Sequence, residues 1–273
     1  MTAVDRQAEE IPGLWTIGQR RISFEVKALV RDRRAFVFTV LFPLILLVIF
    51  GSVFDSDISN GVSFTQYFVA GMIASGVFYT SFQNLAISIP TEREDGTLKR
   101  LRGTPMPSGS YFLGKTGLVL VSYVLQVTML LVVGVAFFHI TLPATAFQWF
   151  TLVWVSLLGL ACCTLLGLAF SVVPKNGRGA SAVVSPIVLV LQFTSGVFFR
   201  FDQLPTWMQN LASIFPLKWI CQGMRSVFLP ESFAGTKNGS WDLPLVALVL
   251  VVWTVVALVL ALRYFRWSRR GED

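Results

Sequence analysis

The chain has 273 residues, 54% of them hydrophobic and only 14% charged, with a net charge of +7. Soluble domains carry about 25% charged residues. The shortfall, together with several long apolar runs, excludes an ordinary soluble domain and indicates an integral membrane protein, so the positive charge is not taken as nucleic-acid binding.

The first 34 residues are charged and hold no short apolar core before a small-residue cleavage site, so no cleavable signal is expected. From Trp15 to Val30, the apolar residues Trp15, Ile22, Val26, Leu29 and Val30 fall near helical spacing. Arg20, Arg21, Glu25, Lys27 and Arg31 lie between them, which predicts a basic amphipathic helix on an anionic membrane surface. A first span is predicted over 35–54, bent by Pro43, and a short acidic loop follows. The second span is predicted over 64–89, where Gly71, Ala74, Ser75 and Gly76 would let another helix approach closely.

The stretch 91–105 is short and highly charged between two apolar runs, so it must lie in water or against a soluble partner. Thr91 and Glu94 have the spacing of a capping box. A short helix is therefore expected to begin at Thr91 and to present Glu92, Arg93, Glu94 and Asp95, with Gly96 and Thr104-Pro105 limiting its length. Further spans are predicted over 111–138, with Ser110 as N-cap, and over 147–173, 180–199 and 243–262. Between the last two, Pro205 starts and Pro216 breaks two amphipathic pieces within 204–229. Each is too short to span, and they are expected to dip back into the outer leaflet.

Of the 22 Lys and Arg residues, 18 fall in 1–34, in the charged stretch through Lys115, in the loop 174–179 and in the tail. Only Arg200, Lys218, Arg225 and Lys237 lie on the other side. The positive-inside rule then gives six spans with both termini in the cytoplasm, and basic charge against the inner leaflet accounts for the pI of about 9.7. The expected organisation is 1–34 as a cytoplasmic start, 35–262 as the membrane domain and 263–273 as a basic tail.

Gly109 to Thr116 fits the P-loop spacing. Pro105 and Pro107 before it rule out the strand a P-loop needs, and an apolar span overlaps it, so Lys115 is read as an interface anchor and not a phosphate ligand. Cys162, Cys163 and Cys221 have no metal-ligand spacing and read as apolar filler, and His139 reads as an interface residue. No catalytic, cofactor or metal site is expected in the chain itself.

Residues 92–107 (Glu-Arg-Glu-Asp-Gly-Thr-Leu-Lys-Arg-Leu-Arg-Gly-Thr-Pro-Met-Pro), followed by Leu113-Gly-Lys115, resemble the cytoplasmic loop of type-2 ATP-binding-cassette (ABC) transporter permeases. Ser195-Gly-Val-Phe-Phe199, Asp202-Gln-Leu-Pro-Thr-Trp207, Phe215-Pro-Leu217 and Gly223-Met-Arg225 resemble that family's segment before the last span. The likeness is to the small six-span permeases of bacterial drug and lipid exporters.

The resemblance implies an all-α membrane protein with six transmembrane helices, an amphipathic connecting helix over 15–30, a coupling helix at about 91–101, and two re-entrant helices closing the outer end. Glu92, Arg93, Glu94, Gly96, Thr97 and Leu98 would couple to a separate ATPase. Two permease chains, alike or homologous, would pair with two ATPase subunits that bind ATP and Mg, in a bacterial inner (plasma) membrane. The substrate route would run along the first, second and fifth spans. Gln83, Asn84, Gln192 and Thr194 are its polar groups, and Phe78, Tyr79, Phe82 and Phe193 its aromatic walls. The alternative use of the polar groups is as glue between helices.

The spans show no evident buried Asp, Glu, Lys or Arg, which an ion-coupled carrier would need. That favours a route powered from outside and an apolar or amphipathic cargo such as a drug, lipid or glycolipid. Export of a polysaccharide, or an ATPase-independent carrier, remains the alternative. A membrane-embedded enzyme would need clustered His, Asp or Glu that the chain lacks.

Overall fold

Four apolar runs fold as uninterrupted helices long and apolar enough to cross a bilayer: α7 (Ser108–Phe138), α8 (Ala146–Phe170), α9 (Gly177–Thr194) and α12 (Leu243–Tyr264). The computed structural model describes residues 13–37, 41–54, 57–59, 62–104, 107–234 and 240–265. At 1.5 Å per residue α7 is about 46 Å long, more than the roughly 30 Å of hydrocarbon. It starts at Ser108 behind Pro107, so Ser110 lies inside the helix and is not its N-cap. α8 carries a true capping box, Thr145 with Gln148, which fixes its first turn.

The two other predicted spans are built differently. In the first, α2 (Arg33–Phe36) is followed by α3 (Phe42–Val53), and residues 38–40 lie outside the described set. Pro43 sits in the first turn of α3, a position where proline is well tolerated. A two-stranded ladder, β1 (Asp57–Ser59) with β2 (Val62–Ser63), occupies the predicted acidic loop. The second runs as α4 (Phe64–Val77), a π-helical segment Phe78–Gln83, and α5 (Asn84–Glu94). Ser63 caps α4 by accepting from the Gln66 N–H at 3.2 Å. The run passes Ile89 and Pro90 and stays helical to Glu94.

α4 is the buried centre of the bundle. It packs against α11 (Pro216–Phe228), α7 and α3. Its glycines make this possible: a Cβ on Gly71 would sit 2.5 Å from the Val197 carbonyl oxygen, and one on Gly76 would strike the Gln126 amide. At the end where α4 begins, Phe50, Phe64, Phe68 and Phe198 form an aromatic column, with Phe50 and Phe68 stacked at 4.9 Å.

Between α9 and α12 come α10 (Thr206–Ile214) and α11, broken apart by Pro216 as predicted. Their surroundings differ. Trp207, Leu211 and Ile214 leave one apolar face of α10 exposed, whereas Ile220, Cys221, Met224 and Val227 of α11 are buried against α4, α8 and α12. α11 is thus a core helix.

Candidate functional site

α1 (Leu14–Arg31) lies across the first turns of α7. The crossing depends on small residues: a Cβ at Gly114 or Gly117 would overlap Arg21 or Ile22. The face of α1 that packs there includes Glu25, which is buried, while Trp15, Phe24 and Val30 point outward.

This crossing brings together a charge cluster. The Lys115 ammonium on α7 lies 3.0 Å from Glu25 and also donates to Glu92 of α5. Arg21 pairs with the other oxygen of Glu25 at 2.8 Å, and the Tyr111 hydroxyl donates to Glu92 at 2.9 Å. Lys115 is only 2% exposed and Glu25 6% exposed, so the bundle does bury ionised side chains that the sequence did not reveal. Buried charges persist where each has partners, as here.

The end of α5 continues the pattern residue by residue. Glu92 grips α7. Arg93 donates to the carbonyl of Ser171 at 3.2 Å, at the C-terminal end of α8. Glu94 accepts from the backbone N–H groups of Gly177 at 2.6 Å and Arg178 at 3.3 Å, the first residues of α9. A cation on a helix C-terminus and an anion on a helix N-terminus each complement the helix dipole. Three consecutive side chains therefore tie the end of α5 to three other helices.

The capping box predicted at Thr91 and Glu94 does not form. Thr91 is still within α5 and its hydroxyl donates back to the Ile87 carbonyl at 2.9 Å. Glu94 caps α9 instead. The chain turns at Gly96, whose φ of +73° suits a residue without Cβ. It then forms α6 (Thr97–Arg102), so the expected coupling helix is two pieces with a turn between. Leu98 is fully buried in the chain's own core. The side chains exposed along this segment are Thr91, Asp95, Lys99, Arg100 and Arg102.

The eight residues assigned to a substrate route are only partly gathered. The Tyr79 hydroxyl donates to the Gln192 carbonyl oxygen at 3.4 Å, joining the π-helical segment to α9. Gln192 is fully buried and its Nε2 has no partner among the described residues, as does Oε1 of half-buried Gln83. Asn84 is half-buried beside it. Phe78 and Phe82 stack on each other at 4.7 Å inside the core, with Phe82 also against Phe170. Phe193 is exposed and packs at a tilt against Phe198 and Phe199. The Thr194 hydroxyl donates to the Val190 carbonyl within its own helix.

The P-loop-like residues 109–116 are all inside α7 and offer no loop of free N–H groups. Among the described residues no group of three His, Cys, Asp or Glu could hold a metal ion.

With this geometry in place, comparison with known proteins is informative. Residues 16–229 match the profile of the family described as "ABC-2 type transporter". The chain is 29% identical over 245 residues to "Inner membrane transport permease YadH" of Escherichia coli (strain K12), covering 86% of this chain and 93% of that protein. It is 26% identical over 160 residues to "Probable multidrug ABC transporter permease YbhR" of the same organism, covering 58% of this chain and 42% of that one.

Proposed function

This chain belongs to the ABC-2 type transporter family, and on that premise we propose that it is the permease subunit of an exporter for an apolar or amphipathic molecule. Two such chains pair, and two separate ATPase subunits, which bind ATP and Mg, drive them. Each chain crosses a bacterial inner membrane six times, with α3 and the α4–α5 run as the first two spans and both termini in the cytoplasm. α10 and α11 close the outer end. The names of the two relatives, an inner membrane permease and a multidrug permease, support the location and the kind of cargo.

The observation that carries this reading is the triple tie made by Glu92, Arg93 and Glu94 to α7, α8 and α9. An ATPase seated on Asp95, Lys99, Arg100 and Arg102 would push on a segment already fastened to most of the bundle. Glu92, Arg93 and Glu94 then transmit the movement, and the exposed charges receive it. Tyr79 and Gln192, joined across two helices, are the polar contact that such a movement would strain along the route.

The test is a mild-detergent pull-down of tagged full-length protein, with ATPase activity measured on the eluate. ATPase activity should co-purify, and should be lost in the doubly charge-reversed variant Asp95→Lys with Arg100→Glu, whose positions are exposed, so that the fold should persist. Intact protein with no ATPase partner, in detergent and in lipid nanodiscs alike, would reject this function in favour of an ATPase-independent carrier.

A further inference from the structure

At the end of the bundle opposite Glu92–Glu94, a cavity of about 320 Å³ opens among Tyr67 of α4, the stretch Ser195–Asp202 after α9, α11 and Trp241 before α12. Its size is at the lower end of ligand pockets, which run from about 300 to 1,000 Å³. α11 has one wholly apolar face locked in the core. The opposite face, with Lys218, Gln222 and Arg225 at helical spacing, is thereby held toward the cavity.

The lining holds three cations, Arg200, Lys218 and Arg225, against one carboxylate, Asp202. That carboxylate is taken: Arg200 binds both of its oxygens, at 2.6 and 3.1 Å. Lys218 donates to Gln222 at 2.6 Å and lies 3.6 Å from the Trp219 ring centre. Arg225 is 6% exposed, sits 4.1 Å above the Tyr67 ring and donates to the carbonyl of Gly196. No carboxylate lies within ion-pair distance of it among the described residues.

Three residues that line this space each carry a buried donor with no hydrogen-bond partner among the described residues: Arg225 at Nε, Trp241 at Nε1 and Ser195 at Oγ. Each of the three side chains is more than nine-tenths buried. Buried donors are costly unless paired, so a ligand that brought acceptors to this space would be stabilised by them. A compact anion with several acceptor oxygens is the group that a guanidinium and N–H donors bind best. Beside the cavity, the exposed Trp207, Leu211 and Ile214 of α10 offer an apolar track.

We propose that this cavity binds a phosphate group, carried by a lipid headgroup or by a soluble phosphate. The inference assumes that the chain is embedded in a membrane, and it does not require an ATPase partner.

Full-length protein in detergent is titrated with short-chain phosphatidylglycerol, with short-chain diacylglycerol as the phosphate-free control, and separately with inorganic phosphate. Native mass spectrometry reads the lipid, and equilibrium dialysis reads the phosphate. Trp241→Phe keeps an aromatic ring while removing one N–H, and Lys218→Gln removes one charge from a half-buried position, so both should fold. Losing one hydrogen bond to a charged group should weaken binding about tenfold in each. Loss confined to the lipid arm assigns a headgroup, and loss confined to the phosphate arm assigns a soluble anion. The proposal is overturned if neither probe binds above the control, or if both variants bind as the wild type does. None of these assays needs ATP hydrolysis, so their failure would leave the transport reading standing.

Discussion

Replacing Lys115 by Met should release α1 from the bundle. Lys115 is the shared partner of Glu25 and Glu92, with 3% of its side chain exposed, against 8% for Glu25 and 20% for Glu92. Breaking a buried ion pair by removing one partner costs about 3–5 kcal/mol, because a charge is left behind. Here both carboxylates keep one partner, Arg21 for Glu25 and the Tyr111 hydroxyl for Glu92. The lower figure, about 3 kcal/mol, therefore applies. It falls on the contact between α1 and α7, so it should appear as local opening of α1. Hydrogen exchange of the α1 amides in detergent should accelerate by about two orders of magnitude, the factor that corresponds to 3 kcal/mol. Adding Glu92→Gln to Lys115→Met removes the less shielded carboxylate and should restore about half of the lost protection. Exchange within about threefold of the wild type in the single variant, or a further loss in the double one, would refute the view that this cluster fastens α1.

Three more outcomes are expected. Glu94→Gln removes a charged acceptor from the first N–H groups of α9 and should cost about 1 kcal/mol, read as faster exchange of the Gly177 and Arg178 amides with little change in α1. Gly71→Val should cost about 1–3 kcal/mol or more, because its Cβ would meet the Val197 carbonyl oxygen, and size-exclusion after mild heating should show early aggregation. Burial pushes the Lys218 ammonium down to about 8; Arg225 adds to this, while Cys221 and Asp242 oppose it. An anion in the cavity beside Lys218 favours the protonated form, so phosphatidylglycerol binding should weaken as the pH rises through about 8 and be unaffected by pH in Lys218→Gln.

Hydropathy alone located α7, α8, α9 and α12 to within a few residues, because a bilayer demands long unbroken apolar runs. It also placed the break at Pro216. What it missed is non-local. Glu25 and Lys115 are 90 positions apart, and Glu25 sits among basic residues that read as one solvated face. The Thr91–Glu94 spacing matched a capping box only because local spacing does not record that α5 continues past Pro90. α11 reads as a surface helix from its periodicity, yet an amphipathic pattern is satisfied equally by a membrane or by neighbouring helices with a polar cavity on the other side. That cavity draws its lining from separated segments between Tyr67 and Trp241, and no spacing rule joins them.

The π-helical segment Phe78–Gln83 sets the rotational phase of the long run from Phe64 to Glu94. Wider turns of this kind hold one residue more than an α-helix of the same length. Each residue of an α-helix turns it by about 100°. Were all six residues wound instead as a regular α-helix, the run would over-rotate by about one residue's turn, and α5 would be turned by about 100° relative to α4. With Gly71 held against Val197 at one end, Glu92 would turn away from Lys115, and Glu94 from the start of α9. The surplus residue is thus the timing mark between the two ends of the protein: it allows the packing at one end and the charge contacts at the other to be in register at once.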